Sequence, residues 1–405
     1  MSPVLRLRVE RTVAGGDGLG HLDDGRVVFV PGGLPDEDIA VRLVQSKKDF
    51  ARGELVEVLA ASPARVAPPC PMLLQGCGGC DWQHVTPVEQ LALKVAIVRE
   101  ALRRTGRLPD AEVLAGAGVS PWAYRTSMRC SVDPLGRLAL RRARSHDDVP
   151  VAGCLVAHPL LASLLGDLVL GAVDEVSVRV SAATGERTAW WTPEAVLARS
   201  VPADAQIGAA ASLVEHVAGV PLRVSAPSFF QSGPEAAALL VDAVRVAGGD
   251  ELVGARSVLD AYGGVGLFAA TVVPDDAEVV VVESSVTACA DARVNLAGRR
   301  ATVFEGPMES WHPRSVDVVI ADPARQGLGS EAVGVLAATG ASVVVLVSCD
   351  PVAMARDAAL LASQGYRHGG STVLDLFPQT HHVEVVTRFE RDFSTLSSSG
   401  PETAP

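Results

Sequence analysis

Ser257-Val258-Leu259-Asp260-Ala261-Tyr262-Gly263-Gly264-Val265-Gly266-Leu267-Phe268-Ala269 reads as a short apolar strand that enters a glycine-rich turn and then a helix. Glycines in such a turn let a ligand approach the backbone closely. A second apolar run, Glu278 to Val282, ends beside Glu283, at the spacing where an acidic residue grips ribose hydroxyls in dinucleotide-binding sheets. Turn and acid together point to an adenosine-bearing cofactor, with Gly264 and Gly266 nearest to it. They do not choose between a nicotinamide dinucleotide and S-adenosylmethionine, because Gly264-x-Gly266-x-x-Ala269 also satisfies the relaxed dinucleotide fingerprint.

Outward from this turn, residues 221–391 alternate apolar runs with alanine-rich, helix-like stretches. The strand candidates are Ser257 to Leu259, Glu278 to Val282, Ala301 to Phe304, Val316 to Ile320, Ser342 to Val347, Thr372 to Leu374 and Val383 to Phe389. This α/β pattern predicts a doubly wound, mostly parallel sheet whose last strand is able to insert antiparallel. The fourth run ends in Asp322-Pro323-Ala324-Arg325-Gln326-Gly327 and the fifth in Ser348-Cys349-Asp350-Pro351. Open sheets bind ligands beyond these carboxyl ends, and Cys349 sits where a nucleophile would be presented.

With Phe229-Phe230-Gln231 upstream and His382-Val383-Glu384 downstream, these pieces stand in an order that resembles the RNA uracil-5-methyltransferase family. The resemblance implies a Rossmann-like methyltransferase domain in which Gln231, Tyr262, Glu283 and Asp322 contact S-adenosylmethionine. It also implies that Cys349 attacks the base and that Glu384 accepts a proton. Two departures are Gly263, where the family turn usually has cysteine, and Ala324, where some members have proline.

The chemistry explains the residue types. Carbon 5 of uracil is a poor nucleophile; a thiolate adding at carbon 6 pushes electrons into the ring, and cysteine is both nucleophilic and a good leaving group. Carbon 5 then carries a methyl and a hydrogen, so a carboxylate must remove the proton before the thiolate leaves. His381 and His382 neighbour Glu384 and are expected to pack or cap. Extruding the base is cheaper from a loop than from a duplex, so a loop uridine is expected.

Upstream, residues 1–62 read as five short strands with glycine turns, an OB-like β-barrel that resembles a TRAM domain and is expected to bind RNA. Residues 63–220 are expected to form a small central domain, also RNA-binding, and residues 392–405 a disordered tail. Cys70, Cys77, Cys80 and Cys154 supply four thiolates, and spacing alone favours zinc. The family resemblance instead implies a 4Fe-4S cluster on these four residues, with a first gap one residue longer than the family's usual one. A TRAM-like barrel together with such a cysteine segment typifies the family's ribosomal RNA branch, so 23S rRNA is the favoured substrate and tRNA the alternative.

Composition bounds the partners. Nothing resembles a membrane span or a signal peptide, and the odd cysteine number, seven, fits a reducing compartment, so a cytoplasmic protein is expected; a monomer is expected as well. A net charge of −12 argues against nonspecific coating of nucleic acid, yet residues 85–150 carry eleven Lys or Arg against seven Asp or Glu. A nicotinamide oxidoreductase leaves Cys349 and Glu384 without a task. A noncatalytic RNA-binding factor would be expected to have lost one of them.

Overall fold

The computed structural model describes residues 4–392 except 152, 172 and 195. The expected tail lies, beyond Asp392, outside the described residues.

The amino-terminal strands are β1 (Val4–Arg8), β2 (Arg11–Thr12), β3 (Gly18–His21), β4 (Val27–Val30), β5 (Asp38–Ser46) and β6 (Phe50–Ala60), in the order β1-β5-β6-β4-β3-β2. One strand more than expected, they curl around Leu7, Val9, Val28, Val30, Ile39, Val41 and Ala51. Alternation drives this, since inward residues recur at every second position along each strand. The chain leaves through a proline-rich stretch pinned to the sheet by Arg65, which pairs with the fully buried Glu37 at 2.5 Å.

Helix α1 (Pro87–Arg104) follows the cysteine segment, with proline in its first turn and Arg103 and Arg104 in its last, both favourable placements. Strand β7 (Val113–Gly118) comes next. Strands β8 (Ser127–Val132), β9 (Leu138–Arg141) and β10 (Asp148–Pro150), helix α2 (Pro159–Asp167), and strands β11 (Val176–Val180), β12 (Arg187–Trp191) and β13 (Ala205–Ile207) make a second six-stranded sheet, ordered β10-β9-β8-β11-β12-β13. A hairpin, β14 (Ser212–Val217) and β15 (Val220–Ser225), and helix α3 (Pro234–Val253) lead into the large sheet.

That sheet comprises β16 (Ser257–Ala261), β17 (Glu278–Glu283), β18 (Ala301–Glu305), β19 (Val318–Ala321), β20 (Val343–Ser348), β21 (Tyr366–Asp375) and β22 (Glu384–Arg391), interleaved with α4 (Leu267–Thr271), α5 (Val286–Asn295), α6 (Gly329–Ala338) and α7 (Pro351–Ser363). Its order is β18-β17-β16-β19-β20-β22-β21-β7. The strand order reverses at β16, where ligands settle in such sheets. The last strand is antiparallel, as the pattern allows, and inserted between β20 and β21.

The central region differs from its expected boundaries. β7 pairs with β21 as an edge strand of the large sheet, and α1 packs into the core on one sheet face with α6 and α7. The core on the other face runs unbroken from Met128, Leu161 and Val178 through α3 to Val345 and Val347. Residues 63–220 therefore do not enclose a separate core.

Candidate active site

The carboxyl ends of adjacent strands assemble the candidate residues. β16 ends at Ala261 and Tyr262, β17 at Glu283, β19 just before Asp322 and β20 just before Cys349. Because β22 runs the opposite way, its first residue, Glu384, lies at the same edge. Val347 pairs with Val386 and Ser348 with Val385, so one further step of this register brings Cys349 opposite Glu384 on one sheet face. Helix α3 packs on that face through Leu240, Val241 and Val244. It runs back to the start of β16, so its amino end and the preceding Gln231, 7% exposed, lie toward the reacting edge.

The turn after β16 has a backbone shaped for close approach. Tyr262, Gly264 and Gly266 have φ of 60°, 55° and 84°. Tyr262 is the one of these three that pays a steric penalty, and such strain gathers at functional sites. A Cβ on Gly264 would meet nothing within 4 Å, so space lies open above it. Glu283 is tied to this turn: one carboxylate oxygen accepts from Gly264 N at 3.0 Å and the other from Ser285 N at 2.7 Å. The oxygen facing Gly264 retains a lone pair, while the other also accepts from Ser284 Oγ at 3.5 Å. Gly263 is closed rather than open, since a Cβ there would stand 2.7 Å from Val281 Cγ1 and 2.9 Å from Asp260 Cγ. Glycine is a steric requirement at this position.

Four ionisable groups shape the field. Asp260 is fully buried; one oxygen accepts from Ala269 N at 2.9 Å and the other has no partner. Burial, with Asp322 and Glu283 nearby, raises its pKa to about 7. Burial likewise raises half-buried Asp322 to about 7. Glu384, 5% exposed, is pushed well above the usual carboxylate range by burial and then by Asp322. Burial, Glu384 and Asp322 lift the Cys349 thiol to about 11, opposed by the Arg325 guanidinium. Asp350 caps α7 through Val352 N and Ala353 N at 2.9 and 2.8 Å, so Cys349 stands immediately before a helix amino terminus, whose dipole favours a thiolate.

Neither histidine is placed as a base. His381 pairs with Asp81, and His382 stacks edge-on to Phe377 at 6.0 Å with its pKa lowered to about 4, chiefly by burial.

Cys70, Cys77, Cys80 and Cys154 line one cavity of about 70 Å³ together with Arg125. Burial raises the Cys80 thiol to about 12 and those of Cys77 and Cys154 in the same direction. Among the described residues, however, no three His, Cys, Asp or Glu side chains are grouped to hold a metal ion, so the expected metal centre is not shown.

Several participants carry no local sequence signal. Arg125 lies between this cavity and the rings of Tyr124 and Phe377, at 5.9 and 5.8 Å. Asp291 accepts from Ser225 N, Ser225 Oγ and Ser228 Oγ at 2.7–2.8 Å, fixing the approach to Phe229-Phe230-Gln231. Asp357 accepts from Leu328 N at 2.7 Å and Gly329 N at 3.2 Å, fixing the loop after Arg325. Many arginines of the basic segment are already paired, including Arg129 with Glu175, Arg141 with Asp148 and Arg142 with Asp147.

A Rossmann-like sheet with these groups along its carboxyl edge defines the class, an α/β methyltransferase. Residues 3–56 match the TRAM domain family. An uncharacterized RNA methyltransferase of Streptomyces avermitilis is 32% identical over 93% of this chain and 95% of its own length, and one of Streptomyces coelicolor is 34% identical over 93% and 90%. The chain belongs to this family of RNA methyltransferases. The crystal structure of Pyrococcus abyssi tRNA (uracil-54, C5)-methyltransferase in complex with S-adenosyl-L-homocysteine shares the fold over 95% of this chain and 99% of that one, with a TM-score of 0.71 at 23% identity. No helix among the described residues is long and apolar enough to cross a membrane.

Proposed function

We propose that this protein transfers a methyl group from S-adenosylmethionine to carbon 5 of a loop uridine, with Cys349 as nucleophile and Glu384 as base. The observation that carries the reading is that they flank the paired Ser348 and Val385 at the same sheet edge, which suits a role on adjacent carbons 6 and 5 of a single ring. When bound, S-adenosylmethionine supplies an activated methyl on a sulfonium. The open space over Gly264, the left-handed turn and the remaining lone pair of Glu283 support an adenosine site here, and we assign Tyr262, Gly266, Gln231 and Asp322 to the same cofactor.

Cys349 Sγ forms a bond to carbon 6, and the displaced π electrons make carbon 5 nucleophilic. Carbon 5 takes the methyl, and the electron pair of the broken bond remains on the departing sulfur. Glu384 then removes the hydrogen of carbon 5, the C–H pair restores the ring double bond, and the C6–S bond breaks to return the thiolate. The raised affinity of Glu384 for protons suits this role, since a base is most effective with a pKa near the working pH. A positively charged sulfonium near Asp322 and Glu384 would favour their ionised forms and bring the base into its working state.

The favoured substrate is 23S rRNA, supported by the TRAM domain joined to a four-cysteine segment. tRNA is the second reading, supported by the substrate named for the Pyrococcus abyssi enzyme. We also infer that the four cysteines carry a 4Fe-4S cluster. In support, all four line one shared cavity beside Arg125. The cluster would serve as a structural support, because methyl transfer involves no net redox change.

Cys349→Ala should abolish methyl incorporation into RNA, and Glu384→Gln should let a covalent protein–RNA adduct accumulate. Full turnover by Cys349→Ala would overturn the mechanism.

A further inference from the structure

The segment 375–381, which carries the chain from β21 into the strand that begins with Glu384, is held from outside. Lys94 Nζ, fully buried on α1, donates to Asp375 Oδ1 at 2.7 Å and to Phe377 O at 3.1 Å. Gln90, also fully buried, accepts from Gln379 N at 2.6 Å and donates to Gln379 Oε1 at 3.2 Å, while its amide also donates to Trp82 O and Val85 O. Trp82 N donates to Gln379 O at 2.9 Å. Asp81 accepts from His381 N at 3.0 Å and pairs with the His381 ring. Gln379 itself has a φ of 69°, a left-handed conformation that a non-glycine residue keeps only when its surroundings hold it there.

These restraints reach the chain three residues before Glu384. Asp81 directly follows Cys80, so the cysteine segment and the strand of the base are tied together. The amino-terminal sheet closes the same joint: Trp82 Nε1 donates to Gly16 O at 3.3 Å, and a Cβ on Gly16 would stand 2.6 Å from His381 Cβ, so only glycine fits.

We propose that Asp81, through His381, is a positioning residue for proton removal from carbon 5, with Gln90 holding the same loop from beneath. The inference rests on the reading of Glu384 as the base. Loosening this loop displaces Glu384 and leaves Cys349, which is carried by β20 and α7, in place. The first half of the reaction therefore continues while the second stalls, an asymmetry that a general loss of stability does not produce.

The test uses full-length protein, tritiated S-adenosylmethionine and RNA from a strain lacking the gene. Asp81→Ala is expected to lower kcat about tenfold, because small misplacements of reacting groups are costly, while KM for RNA stays within about twofold. Single-turnover methyl incorporation is expected to be preserved, and the fraction of enzyme trapped as adduct to rise. Asp81→Asn, which can still accept from His381 N, should recover most of the turnover. His381→Ala loses the ring contact but keeps the backbone donation to Asp81, so it should shift turnover less in the same direction, and Gln90→Met, which unties Gln379, should reproduce the full effect if Asp81→Ala fails to fold. A fall in methyl incorporation and release together, with no adduct, or no change in turnover, overturns the proposal provided Glu384→Gln does trap adduct. If Glu384→Gln traps none, the base assignment falls and this inference with it.

Discussion

Cys349 directly follows and Glu384 directly precedes the last paired residues of two antiparallel strands, Ser348 and Val385, and the Glu384 carboxylate adds to the burial that raises the Cys349 thiol pKa. Antiparallel insertion of β22 is what makes this possible. Had the strand been parallel, its first residue would lie at the far edge of the sheet, a full strand length from the nucleophile. The topology thus converts two residues 35 positions apart in sequence into neighbours.

Burial and the neighbouring Glu384 carboxylate should both be visible in the reactivity of Cys349 in the ligand-free protein. The Cys349 thiol titrates at about 11, so its alkylation by iodoacetamide, read on the peptide that carries it, should rise about tenfold per pH unit from pH 8 to 10. Glu384→Gln removes one of the negative neighbours and should shift this profile to lower pH. A plateau already reached at pH 8 would contradict the electrostatic description.

Asp260 should make stability depend on pH in a definite direction. Its pKa of about 7 in the folded protein lies above the unfolded value, so the folded state holds the extra proton between the two. Stability from this group is complete at low pH, declines as pH rises from about 4 to about 7, and stays reduced above. Asp260→Asn, measured without ligand, should gain about 1–3 kcal/mol at pH 8 by removing a buried charge with one unpartnered oxygen. The gain should vanish near pH 4. An equal effect at both pH values would exclude the titration as its cause.

Gly263 offers a steric test of the turn. Gly263→Ala places a methyl 2.7 Å from Val281 Cγ1, and the resulting shift should lower stability by about 1–3 kcal/mol, the usual range for overpacking. The affinity for S-adenosylmethionine should fall with it, because the same turn leads into Gly264 and the Glu283 contact. Calorimetric titration and thermal melting measure both effects. Unchanged affinity would separate the turn from the cofactor.

The cysteine cavity makes a compositional prediction. Protein purified without oxygen should be brown, contain iron and acid-labile sulfide in equal amounts, and lose both in Cys154→Ala. Stoichiometric zinc in a colourless protein would overturn the cluster and leave the methyl-transfer mechanism standing.

Much of this was legible before any fold was in hand. The Asp260 to Gly266 turn, Glu283, Asp322 and Cys349 each follow an apolar strand, and strand ends are easy to read where Val, Leu and Ile run unbroken. That the last strand could be antiparallel was also legible, and the structure shows why it is: the segment between β21 and β22 is too short for a crossover helix. The central region was not. β7 reads Val113-Leu114-Ala115-Gly116-Ala117-Gly118, with little to mark it as a strand, and its place is set by pairing with β21 more than 250 residues later. Gln90 and Lys94 were hidden for a related reason. Polar residues on a helix are expected to face solvent, and only their partners at 375–379 explain why these two are buried.

The most direct test of the central claim uses 23S rRNA and tRNA transcripts in which 5-fluorouridine replaces uridine. Fluorine at carbon 5 cannot leave as a proton does, so the enzyme should halt after methyl transfer, bonded to the base. Mass spectrometry of the digested complex should then find a methylated fluorouridine on the peptide bearing Cys349, and the transcript that forms it names the substrate class. Methyl transfer to the unmodified transcripts with no adduct from the fluorinated ones, or an adduct on a different residue, would contradict the mechanism.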